Sequence, residues 1–209
     1  WTLPANLAIA VGPDVDYVSV APEEGPLAGE KVLLAKALVG AYEKELGENP
    51  PVVAEYKGSE LEGKRYNPIF DYFSREDDKP GPNAWTFRTA DYVSVDDGTG
   101  LVHIAPYGEE DMFVLAEADI KVVETVDAAG KFMANTPDYQ GVNVFDANRP
   151  IINDLRDGTG SQARIETDVR AVLVREQSYV HSYPHCWRCR EPLIYKPVTS
   201  WFVAVTEFK

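Results

Sequence analysis

Hydrophobic and polar positions alternate over short stretches along most of this chain, and few stretches hold a helical period. Residues 7–11 are an apolar run that stops at Gly12-Pro13-Asp14, a strong turn signal. Residues 17–20 alternate and predict a second strand, paired with the first as a hairpin. From Lys31 to Leu46 the apolar residues Ala35, Leu38, Val39, Tyr42 and Leu46 recur at helical spacing, with Lys36, Glu43 and Lys44 on another face and Gly47 as a stop. That spacing predicts one helix over 31–46.

Further along, residues 51–56 read as a strand, 57–70 as a charged, Gly-containing loop, and 74–83 as an exposed acidic excursion. Residues 85–95 alternate aromatic and β-branched with polar side chains, which predicts a half-buried strand. Asp96-Asp97-Gly98 then turns the chain into a buried strand at 101–104. A helix is predicted over 109–118, with Glu109, Glu110 and Asp111 at the positive end of its dipole. Strands are predicted at 122–126, 143–145 and 171–174, and a short helix at 148–156. The turn Asp-Gly-Thr-Gly occurs at 97–100 and again at 157–160, too little to define a repeat. Strands outnumber helices, so the expected fold class is α+β and strand-rich, a closed or nearly closed β-barrel with peripheral helices.

Composition narrows the possibilities. With 209 residues, 44% of them hydrophobic, the chain can bury a sizeable core. No apolar run approaches the roughly 20 residues of a transmembrane helix. Two cysteines three positions apart argue against a disulfide framework and for a reducing, cytoplasmic setting. The formal charge of −14 argues against broad nonspecific nucleic-acid binding. Basic residues that could meet a phosphate are local ones, such as Lys64, Arg65 and Arg88. The chain opens on Trp1 with no basic leader and stops soon after the apolar run at 199–205, so both ends are expected to continue into a longer protein.

Candidate chemistry collects in three places. The first is Gly98-Thr99-Gly100-Leu101-Val102-His103-Ile104-Ala105-Pro106-Tyr107-Gly108-Glu109-Glu110-Asp111: a turn, a strand carrying a histidine, a corner, and a helix opening on acids. Alternation puts His103 on the face of Leu101, opposite Val102 and Ile104. A carboxylate at a helix start is by itself worth a few tenths to about 1 kcal/mol through the dipole. Desolvated, it also suits an ammonium group. The glycines are no phosphate loop, because no Lys-Ser/Thr follows. The second place is Trp1-Thr2-Leu3-Pro4-Ala5-Asn6. The third is His181 to Cys189, where His185-Cys186-Trp187-Arg188-Cys189 supplies two thiols, half of a tetrahedral zinc site. No metal is expected in this chain alone. No Ser-His-Asp or Cys-His nucleophile arrangement is evident, so a covalent acyl intermediate is disfavoured.

Together these motifs resemble the editing insertions of class I isoleucyl-tRNA synthetases. The valine and leucine editing insertions carry Arg-Pro-Glu or Arg-Pro-Asp at the front, where this chain has Trp-Thr-Leu-Pro. The resemblance implies a β-barrel-like editing domain over 1–180 and a return segment over 181–209, bearing the His-Cys-Trp-Arg-Cys motif, that leads back to a catalytic core. It implies hydrolysis of valyl-tRNA(Ile), with the valine-charged acceptor end and the parent's catalytic core as partners. Asp111 would hold the α-amino group, although the segment Tyr107–Asp111 is one residue shorter than the commoner family version. His103 would form the pocket wall by steric exclusion, general-base work being the weaker alternative. Trp1, Thr2, Asn6, Gly100, Leu101 and Val102 would line the pocket or meet the terminal adenosine. The family's threonines that contact the ester precede this Trp and are not in the sequence. ATP, and in some members zinc, belong to the parent enzyme. A non-catalytic insertion that binds the tRNA acceptor end or braces its parent is the competing reading. Asp111 and His103 are expected to meet in one cavity.

Overall fold

The computed structural model describes residues 1–74, 79–96, 98–178, 180 and 182–208. Among the described residues, six short strands fall into two three-stranded sheets. In the first, β1 (Ala8–Val11) is central, parallel to β5 (Thr86–Thr89) and antiparallel to β6 (Leu101–Ile104). In the second, β2 (Asp16–Val20) is central and antiparallel to both β3 (Val32–Ala35) and β4 (Val52–Lys57). The mixed α and β class expected from the sequence holds, although helices take up more residues than strands. Among the described residues the strands make two three-stranded sheets where one barrel was expected.

The predicted hairpin between β1 and β2 fails for a simple reason. Each strand has two hydrogen-bonding edges, and all four are taken, β1 by β5 and β6, β2 by β3 and β4. The turn after β1 therefore passes the chain from one sheet to the other. Tyr17 fastens that crossing, its hydroxyl accepting from the Gly12 amide at 3.0 Å and donating to the Gly100 carbonyl at 2.6 Å. Two glycines permit the close approach. A Cβ on Gly58 would lie 1.9 Å from the Gly12 carbonyl oxygen, and one on Gly100, at φ +72°, 2.6 Å from Ala35 Cβ.

Tertiary pairing also overrides the helix expected over 31–46. Its first residues form β3 on the open edge of β2, and the rest is a 3₁₀ stretch (Lys36–Tyr42) followed by α1 (Glu43–Leu46). The apolar spacing still marks the buried face, since Ala35, Leu38, Tyr42 and Leu46 are buried. A one-turn helix α2 (Gly58–Leu61) lies inside the expected loop at 57–70. The strand expected over 85–95 shrinks to β5. The excursion at 74–83 includes residues 75–78, outside the described residues. Its later part is held in place: Pro80 is buried and its carbonyl accepts from the Lys121 amide, while Asn83 donates to the Ala118 carbonyl.

Helix α3 (Glu109–Glu117) matches the sequence reading closely. The strands expected at 122–126 and 143–145 reduce to isolated bridges, Val126 with Phe132 and Lys131 with Asn143. Asn143 instead caps α4 (Val144–Asp157), its side chain accepting from the Phe145 amide. The helix expected over 148–156 is the later part of α4. Pro150, a residue usually confined to a first turn, sits inside it. Residues 171–174 alternate but form no strand: Ala171 and Leu173 pack against the main core while Val172 and Val174 face outward. That core joins β1 and β6 to α3, α4 and the aromatic residues Phe70, Phe73, Trp85, Phe132 and Tyr139.

Candidate active site

The 3₁₀ turn Leu3–Ala5 delivers Thr2 and Asn6 to the start of β1. β1 pairs with β6 so that Ile9 lies opposite His103. This register joins two motifs about a hundred residues apart. Thr2 Oγ1 lies 2.9 Å from His103 Nε2, and Asn6 Nδ2 lies 3.2 Å from His103 Nδ1.

The protonation of this group follows from its partners. Asn6 Nδ2 also lies 3.0 Å from the Ala8 carbonyl, which can only accept, so this atom is the NH₂. Asn6 Oδ1 in turn accepts from the Tyr66 hydroxyl at 2.6 Å. Since the amide donates to His103 Nδ1, that nitrogen carries the lone pair, and the ring proton sits on Nε2, donating to Thr2 Oγ1. Burial pushes the His103 pKa down to about 4. The imidazole is therefore neutral near pH 7 and both its nitrogens are engaged. Such a ring suits a wall better than a base.

Asn6 itself is buried at 4% exposure, and its carbonyl accepts from the Trp85 indole at 3.2 Å. Its side-chain polar atoms are satisfied within the protein, by Tyr66, the Ala8 carbonyl and His103. Trp1 is half-buried, tilted against the Tyr107 ring at 4.5 Å between centroids. Gly100 and Leu101 pack toward the second sheet, Gly100 beneath Tyr17 and Leu101 against the cluster of Val11, Tyr17 and Ala35. Val102, on the opposite face of β6, is exposed.

Asp111 stands in the first turn of α3. Its Oδ2 accepts from the Ala105 amide at 3.2 Å, just beyond the end of β6, and its Oδ1 lies 3.5 Å from the Tyr92 hydroxyl. Burial raises its pKa against the lowering effect of the Ala105 amide and the Tyr92 hydroxyl. A carboxylate offers about four acceptor positions, so capacity remains for a cationic donor. A hollow of about 350 Å³ is lined by its neighbours Tyr92 and Glu110 together with Thr89 and Phe113 among others, Asp111 itself not being one of the lining residues. His103 does not line that hollow and is no partner of the carboxylate. The expected meeting of the two groups becomes a placement along one strand and just past its end. A larger hollow, about 650 Å³, lies between residues 40–45 and Arg175 and holds none of the predicted site residues.

The local basic residues are engaged elsewhere. Arg88 pairs with Glu62 at 3.0 Å, Arg65 donates to the Pro82 and Ala84 carbonyls, and Lys64 lies over the Tyr56 ring. His181 lies outside the described residues. Cys186 and Cys189 are free thiols, and His185 Nδ1 is directed at the Tyr183 carbonyl. Backbone amides of Cys189 and Arg188, then the Cys189 thiol, lower the Cys186 pKa. This turn suits two thiolate ligands of a zinc ion, but among the described residues no third ligand joins them. Sequence reasoning missed Tyr66, Trp85 and Tyr92. None has a motif, and only the topology brings Tyr66 to Asn6, 60 positions away.

Against known proteins, no family model matches. The chain is 57% identical over its full length to the isoleucine–tRNA ligase of Bifidobacterium longum, 51% to that of Mycobacterium leprae and 48% to that of Corynebacterium efficiens. In each case it spans 19% of the relative's length. The solved structure GlLeuRS-CP1 aligns with 56% of this chain and 40% of its own at TM-score 0.39 and 16% identity, a likeness too slight to argue from. Identity of this order along the whole chain places it as a segment within the aminoacyl-tRNA ligases. Within that class it belongs to the isoleucine–tRNA ligase family, of which it corresponds to about one fifth.

Proposed function

We propose that the chain is the proofreading segment of an isoleucine–tRNA ligase and hydrolyses the ester of valyl-tRNA(Ile), acting in the cytoplasm. One methylene separates valine from isoleucine, and a hydrophobic pocket discriminates that by only about 1–3 kcal/mol, the isoleucine ligase being the standard illustration of this limit. A second site that admits valine, excludes isoleucine and hydrolyses what enters supplies the remainder. The observation that carries this reading is the convergence of Thr2 and Asn6 on His103 in a chain that matches isoleucine ligases from end to end.

In this reading Asp111 holds the substrate ammonium through its unused acceptor positions. His103, neutral and fixed at both ring nitrogens, limits side-chain size. Polar groups and the terminal ribose hydroxyl orient an attacking water, with no covalent intermediate. Residues 181–209 form the return toward the catalytic core. With a net charge of −14, the affinity for tRNA resides mainly in the rest of the ligase.

The test is deacylation of valyl- and isoleucyl-tRNA(Ile) by the ligase carrying this segment, with and without Asp111→Ala. Rapid release of valine, little release of isoleucine, and loss of the valine activity in the variant support the proposal. Tight binding of the tRNA end with no deacylation establishes the non-catalytic insertion instead.

A further inference from the structure

Tyr66 belongs to no sequence motif, yet it closes the network around His103. Its backbone amide donates to the Trp85 carbonyl at 3.0 Å, beside β5, and its ring meets Phe87 edge-on at 6.0 Å. Burial pushes its pKa up, so the phenol keeps its proton and donates to Asn6 Oδ1. The amide is then held at both ends, by Tyr66 and by the Ala8 carbonyl, and its remaining N–H is aimed at His103 Nδ1. Thr2 takes the other side of the ring.

We propose that Tyr66 is a positioning residue: through Asn6 it holds His103 as the Nε2–H tautomer in one ring orientation, making the imidazole a fixed wall that sets the size limit. This inference rests on the proofreading reading above. A wall that separates side chains differing by one methylene must hold its position to about half an ångström. A ring anchored at one nitrogen can turn about its broad terminal torsion, whereas anchors at both nitrogens restrain it. With Nδ1 accepting and Nε2–H donating, no lone pair remains to take a proton from water. The ionisable group acting here is the Tyr66 hydroxyl, through Asn6.

The test has two arms. The chain has three histidines, so ¹⁵N-histidine labelling gives few ring signals, and His103→Gln assigns those of His103. The expected spectrum shows Nδ1 unprotonated and Nε2 protonated, unchanged from about pH 6 to about pH 8. In Tyr66→Phe, which keeps the ring contact with Phe87, these signals should broaden toward a mixture of tautomers. In the second arm, Tyr66→Phe in the ligase should lower the ratio of kcat/KM for valyl- over isoleucyl-tRNA(Ile) about 3- to 10-fold, the weight of one neutral hydrogen bond. A merely structural role would reduce both substrates together and leave the ratio unchanged. An Nδ1–H tautomer in the unmodified chain, or an unchanged ratio in Tyr66→Phe, overturns the proposal. If the unmodified ligase deacylates neither substrate, the proofreading reading fails, and the spectra still decide whether Tyr66 sets the tautomer.

Discussion

Lowering the pH should unfold this protein through His103 in a way that a single substitution can isolate. In the unfolded chain the imidazole titrates at its ordinary 6.5, whereas in the fold burial holds it at about 4. A depressed folded pKa means that protons bind the unfolded state more readily. The stability associated with the neutral ring is therefore fully present above about pH 6.5 and is lost as pH falls toward 4. At about 1.4 kcal/mol for each tenfold rise in proton concentration, the loss across that window is roughly 3 kcal/mol. Urea unfolding of the chain and of His103→Gln, at a series of pH values, separates this effect from carboxylates that titrate nearby. The free-energy difference between the two proteins should be constant above about pH 7. Below that it should move against the unmodified chain by roughly 3 kcal/mol by pH 4. A difference that stays flat to pH 4 would show that the imidazole is not held neutral by its surroundings, and the tautomer argument would fall with it.

Asp111→Asn in the ligase should reduce valyl-tRNA(Ile) deacylation at least about 100-fold while thermal unfolding stays within a few degrees, because a neutral amide still accepts from the Ala105 amide but has no charge for an ammonium. Gly100→Ala should destabilise the chain by about 2–4 kcal/mol in urea titrations, since it adds a Cβ at positive φ against Ala35 Cβ. Timed alkylation read by mass spectrometry should find Cys186 modified faster than Cys189 near neutral pH, the amides around it favouring its thiolate. Equal rates would remove that assignment.

What the sequence determined is local. β6, α3 and the β4 segment are legible because alternation and a run of acids at a helix start depend on neighbours a few positions apart. The choice of His103 and Asp111 came from a contiguous motif, and so did the pairing of Thr2 with Asn6. Tertiary structure decided everything that turns on which edge is free. Residues 32–35 hold a helix-compatible apolar pattern, yet the open edge of β2 drew them into a strand. The same competition sent β1 and β2 to different sheets. Asn6 reads as a binding residue in its motif, and only the fold shows that Tyr66, Ala8 and Trp85 enclose it and that its amide meets His103. Hydrogen-bond partners at such separations are fixed by strand register, and no local period in the chain encodes that register.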